Sequence, residues 1–198
     1  MNARGVRRVS GALLSVAVVG TWLAVATTGP ALAGQTGPNL VFNHSFETPD
    51  VGSGAVTFVG GSSFDGWTVT GVSIDLVGTI WEAATGKQSV DLSGGNAGGL
   101  YQDLATTPGQ TYGLAFAMSG NHHCGARYKY LAVKWNGARV AQFRFDTDGI
   151  HDPDMGWAPR GVKMLPAATG TTTRLQFLSL SRGTCGPVID DIFVGARS

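Results

Sequence analysis

Outside its first 33 residues the chain shows short stretches in which apolar and polar positions alternate, the two-residue period of strands with one buried face. Trp67-Thr-Val-Thr70 alternates, as do Val72-Ser-Ile-Asp-Leu-Val77, Gln88-Ser-Val-Asp-Leu92 and Tyr112-Gly-Leu-Ala-Phe-Ala-Met118. Leu131, Val133 and Trp135 fall on one face of a strand. Ala141, Phe143 and Phe145 share a face of the next, with Gln142 and Arg144 turned away. Leu175 to Leu180 and Val188 to Val194 complete the set. Turn chemistry separates them. Asn136-Gly137 sits where a two-residue hairpin needs positive φ, and Thr107-Pro108-Gly109-Gln110 places Pro and Gly at the centre of a turn. About eight or nine short strands with turns this frequent predict an all-β fold, an antiparallel β-sandwich. The Gly/Ser-rich segment 52–63 reads as a loop. No internal repeat and no long linker divides residues 34–198, so a single domain is expected.

Residues 1–33 follow a different pattern. Arg4, Arg7 and Arg8 precede an apolar run from Ala12 to Ala26, and Ala31-Leu32-Ala33 supplies small residues for cleavage. The order defines a signal peptide, with the mature chain starting near Gly34. The run is shorter than a membrane span needs, so a secreted, extracellular protein that is not membrane-embedded after cleavage is predicted. Ser198 ends the sequence without an apolar tail, so free release is expected. The signal's three arginines turn 14 basic against 13 acidic residues into 11 against 13, about −2. A near-neutral chain lacks the basic surplus of a nucleic-acid binder. Cys124 and Cys185 are the two cysteines, and an oxidising compartment favours their pairing. Closing a loop of about 60 residues stabilises by roughly 4 kcal/mol at most in the chain-entropy picture.

Several blocks occur in order along the mature chain. They are Asn39-Leu-Val-Phe-Asn-His-Ser-Phe-Glu47, Gly66-Trp67, Val72 to Val77, Gln88 to Gly94, Leu100-Tyr-Gln-Asp-Leu104, Ser119-Gly-Asn121, Met155-Gly-Trp157 and Cys185-Gly-Pro-Val-Ile-Asp-Asp-Ile192. Together they resemble the choice-of-anchor C family, the extracellular domain of unknown function 642 type. His44 stands where that family usually has a small residue. The resemblance implies a jelly-roll sandwich similar to galactose-binding domains and carbohydrate-binding modules. In related modules an opening Glu and a closing Asp often hold a structural calcium. Here those positions are Glu47 and the pair Asp190 and Asp191. Calcium takes six to eight hard oxygens, and the alternative is that these carboxylates accept from turn amides.

Sugar sites combine aromatic faces with directed polar groups. Trp81, Tyr101, Gln102, Asn121, His122 and Trp157 fall in loops or at strand ends and are the candidate ligand-binding residues, while Trp67 and Trp135 are expected in the core. Asp146, Asp148, Asp152 and Asp154 lack the regular spacing of a calcium loop and read as a solvated loop. His122-His123 beside Cys124 suggests zinc, but falls short in ligand count. No G-x-S-x-G elbow is present, and the spacing of a carboxylate pair such as Asp75 and Asp91 cannot be read from sequence. Asn43-His44-Ser45 is an N-glycosylation sequon. The expectation is a monomeric, non-catalytic module that binds a polysaccharide or cell-surface glycan of a cell wall or matrix. The alternatives are an adhesion domain recognising a surface protein and, third, a glycoside or ester hydrolase.

Overall fold

The computed structural model describes residues 34–198, so the signal read in residues 1–33 lies outside the described residues. Every paired strand is antiparallel, in two sheets. The first contains β1 (Gln35–Thr36), β2 (Ala55–Val59), β5 (Ser73–Val77), β6 (Ser89–Asp91), β8 (Tyr112–Gly120), β11 (Ala158–Leu165) and β13 (Pro187–Arg197). Its order is β11-β8-β13-β6-β5-β2, with β1 added to β13. The second is β10-β9-β12-β7-β4-β3, from β3 (Ser63–Phe64), β4 (Trp67–Gly71), β7 (Gly98–Ala105), β9 (Tyr128–Trp135), β10 (Ala138–Asp146) and β12 (Thr172–Ser179). Consecutive strands repeatedly cross between the sheets, which makes the sandwich a jelly roll. Among the described residues no helix is long and apolar enough to cross a membrane.

The alternating positions explain the packing. Leu100, Leu104, Leu131, Val133, Leu175 and Phe177 of the second sheet meet Ile74, Leu76, Val90, Leu114, Phe116 and Ile189 of the first in one core. Trp67 is completely buried, its ring centroid 5.4 Å from that of Phe46, and Phe116 meets Phe143 and Phe177 in edge-to-face contacts. Trp135 is buried as expected and donates to the Pro166 carbonyl at 2.9 Å. Asn136 and Gly137 have φ of 49° and 82°, as the two-residue turn requires. The Cys124–Cys185 disulfide is formed, with 5.5 Å between Cα atoms.

The segment 52–63 corrects the expectation of a loop, because β2 and the start of β3 lie within it. β2 is an edge strand whose only half-buried position is Phe58, so its apolar pattern is too weak to read. β11 was hidden for a related reason. It is the other edge of the first sheet and carries Pro159 and Gly161, residues that edge strands tolerate and central strands do not.

Candidate functional site

Strand alternation gives the first sheet a second set of side chains, pointing away from the core. Val77, Ser89, Asp91, Ser119, Val188 and Asp190 occupy it, each beside an inward residue such as Leu76, Val90, Met118 or Ile189. These outward residues are nevertheless buried. Two loops fold back over them, 78–88 after β5 and 147–157 after β10. Trp81 and Met155 pack on Val77 and Val188 as a separate small core, with Trp157 against it. Polar groups are matched beneath the loops. Trp81 Nε1 donates to Ser89 Oγ at 2.9 Å, and Ser119 Oγ donates to the Met155 carbonyl. The loops are also laced to each other, Glu82 N to the Pro153 carbonyl and Trp157 Nε1 to the Glu82 carbonyl, both at 2.9 Å.

A cleft of about 310 Å³ opens in this layer. Trp81, Ala83 and Pro153 give it apolar walls, and Thr79, Glu82, Gly86 and Lys87 line the remainder. Its volume is at the lower end of the range for small-molecule sites. The segment 84–88 beside the cleft is pinned from below. Lys87 N and Gln88 N donate to Glu47 Oε1 at 2.9 and 3.0 Å, and Thr85 N donates to Asp190 Oδ2 at 2.8 Å. Gly86 adopts φ 66°, and a Cβ there would collide with the Glu47 carboxylate. Gln88 completes the anchorage by donating to the Pro49 carbonyl and accepting from Val51 N.

This bears on the calcium expectation. Glu47 and Asp190 spend oxygens on backbone amides. Asp191 sits in a β-bulge with φ 49° and turns towards His44, whose Nδ1 lies 3.6 Å from its carboxylate. Among the described residues the three do not gather donor oxygens within 4.8 Å of one another. In this arrangement the Glu47 and Asp190 carboxylates accept from backbone amides, and the Asp191 carboxylate faces His44. Burial pushes the Asp190 carboxyl up to about 8, against the opposing effect of its bonds from Thr85 and Asp191.

The far edge of the layer is built on the disulfide. Buried Lys129 donates from Nζ to the carbonyls of both Cys124 and Cys185, at 2.7 and 2.9 Å. Asn121 bridges inward and outward, Nδ2 donating to Asp91 Oδ2 at 2.8 Å and Oδ1 accepting from His123 N at 3.0 Å. Asp91 also accepts from Ser93 N and Gly186 N, and burial pushes its carboxyl up to about 7. Sealed in this way, it is poorly placed to reach a glycosidic oxygen. His122 and His123 meet edge to face, and both approach Asp152. Burial first, then the charge of His123, lowers the His122 pKa. Asp152 therefore leaves the solvated acidic loop as a partner of two histidines. Asp146 and Asp148 pair with Arg127 instead.

The six candidate ligand residues divide. Trp81, Asn121, His122 and Trp157 come together in the loop layer. Trp81 is only 5% exposed, so it is a cleft wall rather than an open platform. Gln102 is a correction. It faces the core side of β7 and clamps residue 42, accepting from Phe42 N at 2.8 Å and donating to the Phe42 carbonyl at 3.0 Å. Tyr101 lies on the outer face of the second sheet, away from both tryptophans. There the Arg174 guanidinium covers its ring at 3.7 Å and bonds Asp103 through two nitrogens at 2.7 Å each.

The family model described as "Protein of unknown function (DUF642)" matches residues 39–195. The chain belongs to the DUF642 family. Among curated proteins, Halomucin of Haloquadratum walsbyi is 29% identical over 181 residues, 87% of this chain but 2% of that protein. The chain thus spans about 2% of that relative's length. Among solved structures, TmCBM61 in complex with β-1,4-galactotriose superimposes with a TM-score of 0.55 at 18% identity, covering 81% of this chain and all of that one. The CBM22-1 xylan-binding domain of Paenibacillus barcinonensis Xyn10C gives 0.53 at 16%, covering 84% of this chain and 99% of its own. These likenesses establish the sandwich fold of the DUF642 domain.

Sequence reading missed Thr79, Glu82 and Lys87 in the cleft of the DUF642 domain, and Asp152 beside the histidines. A usable signal was present. The connection 78–88 lies between two strand blocks that pair as neighbours, and it is longer than the two to five residues such a hairpin needs. Long connections of that kind either carry sites or cover a face, and this one covers a face and lines the cleft.

Proposed function

We propose that this protein is an exported, non-catalytic carbohydrate-binding module that takes a cell-wall or matrix polysaccharide in the cleft of its loop layer. The observation that carries the reading is the cleft itself. An indole wall and a proline offer apolar surface to a sugar ring, and Thr79, Glu82 and Lys87 supply a hydroxyl, a carboxylate and an ammonium for its hydroxyls. Rim charges of opposite sign suit a neutral chain better than a charged one. Support from the fold comes from its neighbours, one solved with β-1,4-galactotriose and one described as xylan-binding. The disulfide and the signal read in residues 1–33 support export.

Affinity gel electrophoresis against galactan and xylan tests the proposal. Retardation by at least one polysaccharide is expected, and Glu82→Ala or Lys87→Ala should each weaken it about tenfold, since a lost charged hydrogen bond costs about 1.5 kcal/mol or more. No retardation by any polysaccharide, together with sugar-independent capture of a surface protein, would replace this reading with adhesion.

A further inference from the structure

The geometry points to a site for a borderline divalent transition-metal ion, with zinc as its reference, formed by His122, His123 and Asp152 and open to solvent at a fourth position. It stands independently of the cleft's proposed ligand. The three donors lie within 4.8 Å of one another, the only such gathering among the described residues. His122 Nε2 is 3.4 Å from Asp152 Oδ1, and His123 Nε2 is 2.9 Å from Asp152 Oδ2. Zinc–ligand bonds of about 2.0–2.2 Å at tetrahedral angles separate donors by about 3.3–3.5 Å. The first pair already has that spacing. The second is made by the other carboxylate oxygen, so binding one ion through a single Asp152 oxygen requires the carboxylate to turn and the His123 ring to shift with it. The side chains that must move, His123 and Asp152, are 41% and 47% exposed.

The surroundings fix the backbone that carries the ligands, leaving only side-chain adjustment to bind the ion. Asn121 holds the His123 backbone and is itself bonded to Asp91. The next residue is Cys124, tied to Cys185, and Lys129 holds both cysteine carbonyls. The Trp81 and His123 rings meet edge to face, their centroids 5.7 Å apart. On the other side, the Pro153 carbonyl next to Asp152 accepts from Glu82 N. Two imidazole nitrogens and one carboxylate select zinc-like ions over calcium or magnesium, which prefer all-oxygen shells. A bound ion clips the loop carrying His122 and His123 to the loop carrying Asp152, at the border of the cleft. It would therefore stabilise the layer by linkage.

The test is titration of untagged mature protein with Zn2+ alone, followed by calorimetry and thermal unfolding. One equivalent should bind, and Tm should rise by about 5–10 °C at a hundredfold excess over Kd. Asp152→Asn and His123→Gln should each weaken binding at least about tenfold, as the loss of even a supporting residue does. Ca2+ and Mg2+ should not compete. Absence of saturable Zn2+ binding overturns the inference. So does undiminished binding in His122→Gln/His123→Gln, which would move the ion to His44 or His151.

Discussion

The two sheets treat their outer faces in opposite ways. On the second sheet the outward residues of β4, β7 and β12 are Thr68 and Thr70, Tyr101 and Asp103, and Arg174 and Gln176, all half-buried or exposed. On the first sheet the equivalent positions lie under loops 78–88 and 147–157. Connection length is the cause. The β9–β10 link is two residues and cannot reach back over its sheet, whereas the β5–β6 and β10–β11 links can. The chemistry follows from the covering. Asp103, in the open, has its pKa lowered by its bonds from Arg174, while Asp91 and Asp190, under cover, have theirs raised by burial. One residue type thus responds in opposite senses on the two faces of a single fold.

The largest expected difference is in stability. Trp81→Ala should cost about 3–5 kcal/mol, the usual penalty for emptying a packed aromatic site, and it also removes the donor to Ser89. Tyr101→Ala on the open face should cost about 1 kcal/mol, most of it the Arg174 stacking. Urea unfolding of both variants measures the contrast. A Trp81→Ala cost below about 1 kcal/mol would mean that the loop layer is a lid and not a second core.

A pH effect of at least comparable size is confined to the covered face. Asp91 and Asp190 hold protons up to about 7 and about 8 in the folded protein, against an ordinary value of 3.8. Between those limits the folded state binds more protons than the unfolded chain. Their contribution is therefore complete below about pH 4 and is lost as pH rises, at up to about 1.4 kcal/mol per pH unit for each group, levelling off above about 8. Asp91→Asn, whose carbonyl can keep the Ser93 and Gly186 bonds, should remove its share of the slope. Denaturant midpoints from pH 4 to 9 give the answer. Calcium beside Asp190 would hold that carboxylate ionised and erase its share, so comparing the curves with EDTA and with added calcium also tests the amide-acceptor geometry found for Glu47 and Asp190. Coincident curves are expected.

What was legible in the sequence follows the same division. Strands with one face in the core, such as β9 with Leu131, Val133 and Trp135, announce themselves because their alternation is a direct record of burial. The disulfide was legible because two cysteines allow one internal pairing. Edge strands β2 and β11 were not, since little of either is buried. The covered face was hardest. Its outward residues are buried by loops that no local period foretells, so Val77 and Val188 looked like ordinary strand residues and Trp81 like an exposed loop ring. Gln102 misled for a different reason. An inward glutamine is indistinguishable by type from a ligand-binding one until its partner is known, and that partner is the backbone of residue 42, sixty positions away. Asp152 was missed beside His122 and His123 because the topology alone brings the 147–157 loop to them.

The smallest effect discriminates best between the two faces as ligand sites. Arg174→Ala breaks an exposed ion pair with Asp103 and uncovers the Tyr101 ring. Both partners are close to half exposed, so the change in stability should stay within about 1 kcal/mol. Its effect on polysaccharide binding depends wholly on where the sugar sits. With the cleft as the site, affinity is unchanged, because the open face lies on the opposite side of the sandwich from Trp81, Glu82 and Lys87. With the open face as the site, a freed tyrosine ring and an unpaired Asp103 alter the stacking surface and the hydrogen-bonding pattern at once, and affinity shifts in a variant whose fold is intact. Affinity electrophoresis of Arg174→Ala beside Glu82→Ala separates the two. The expected result is normal retardation for the first and about tenfold weaker retardation for the second, and the reverse would transfer the binding site from the covered sheet to the open one.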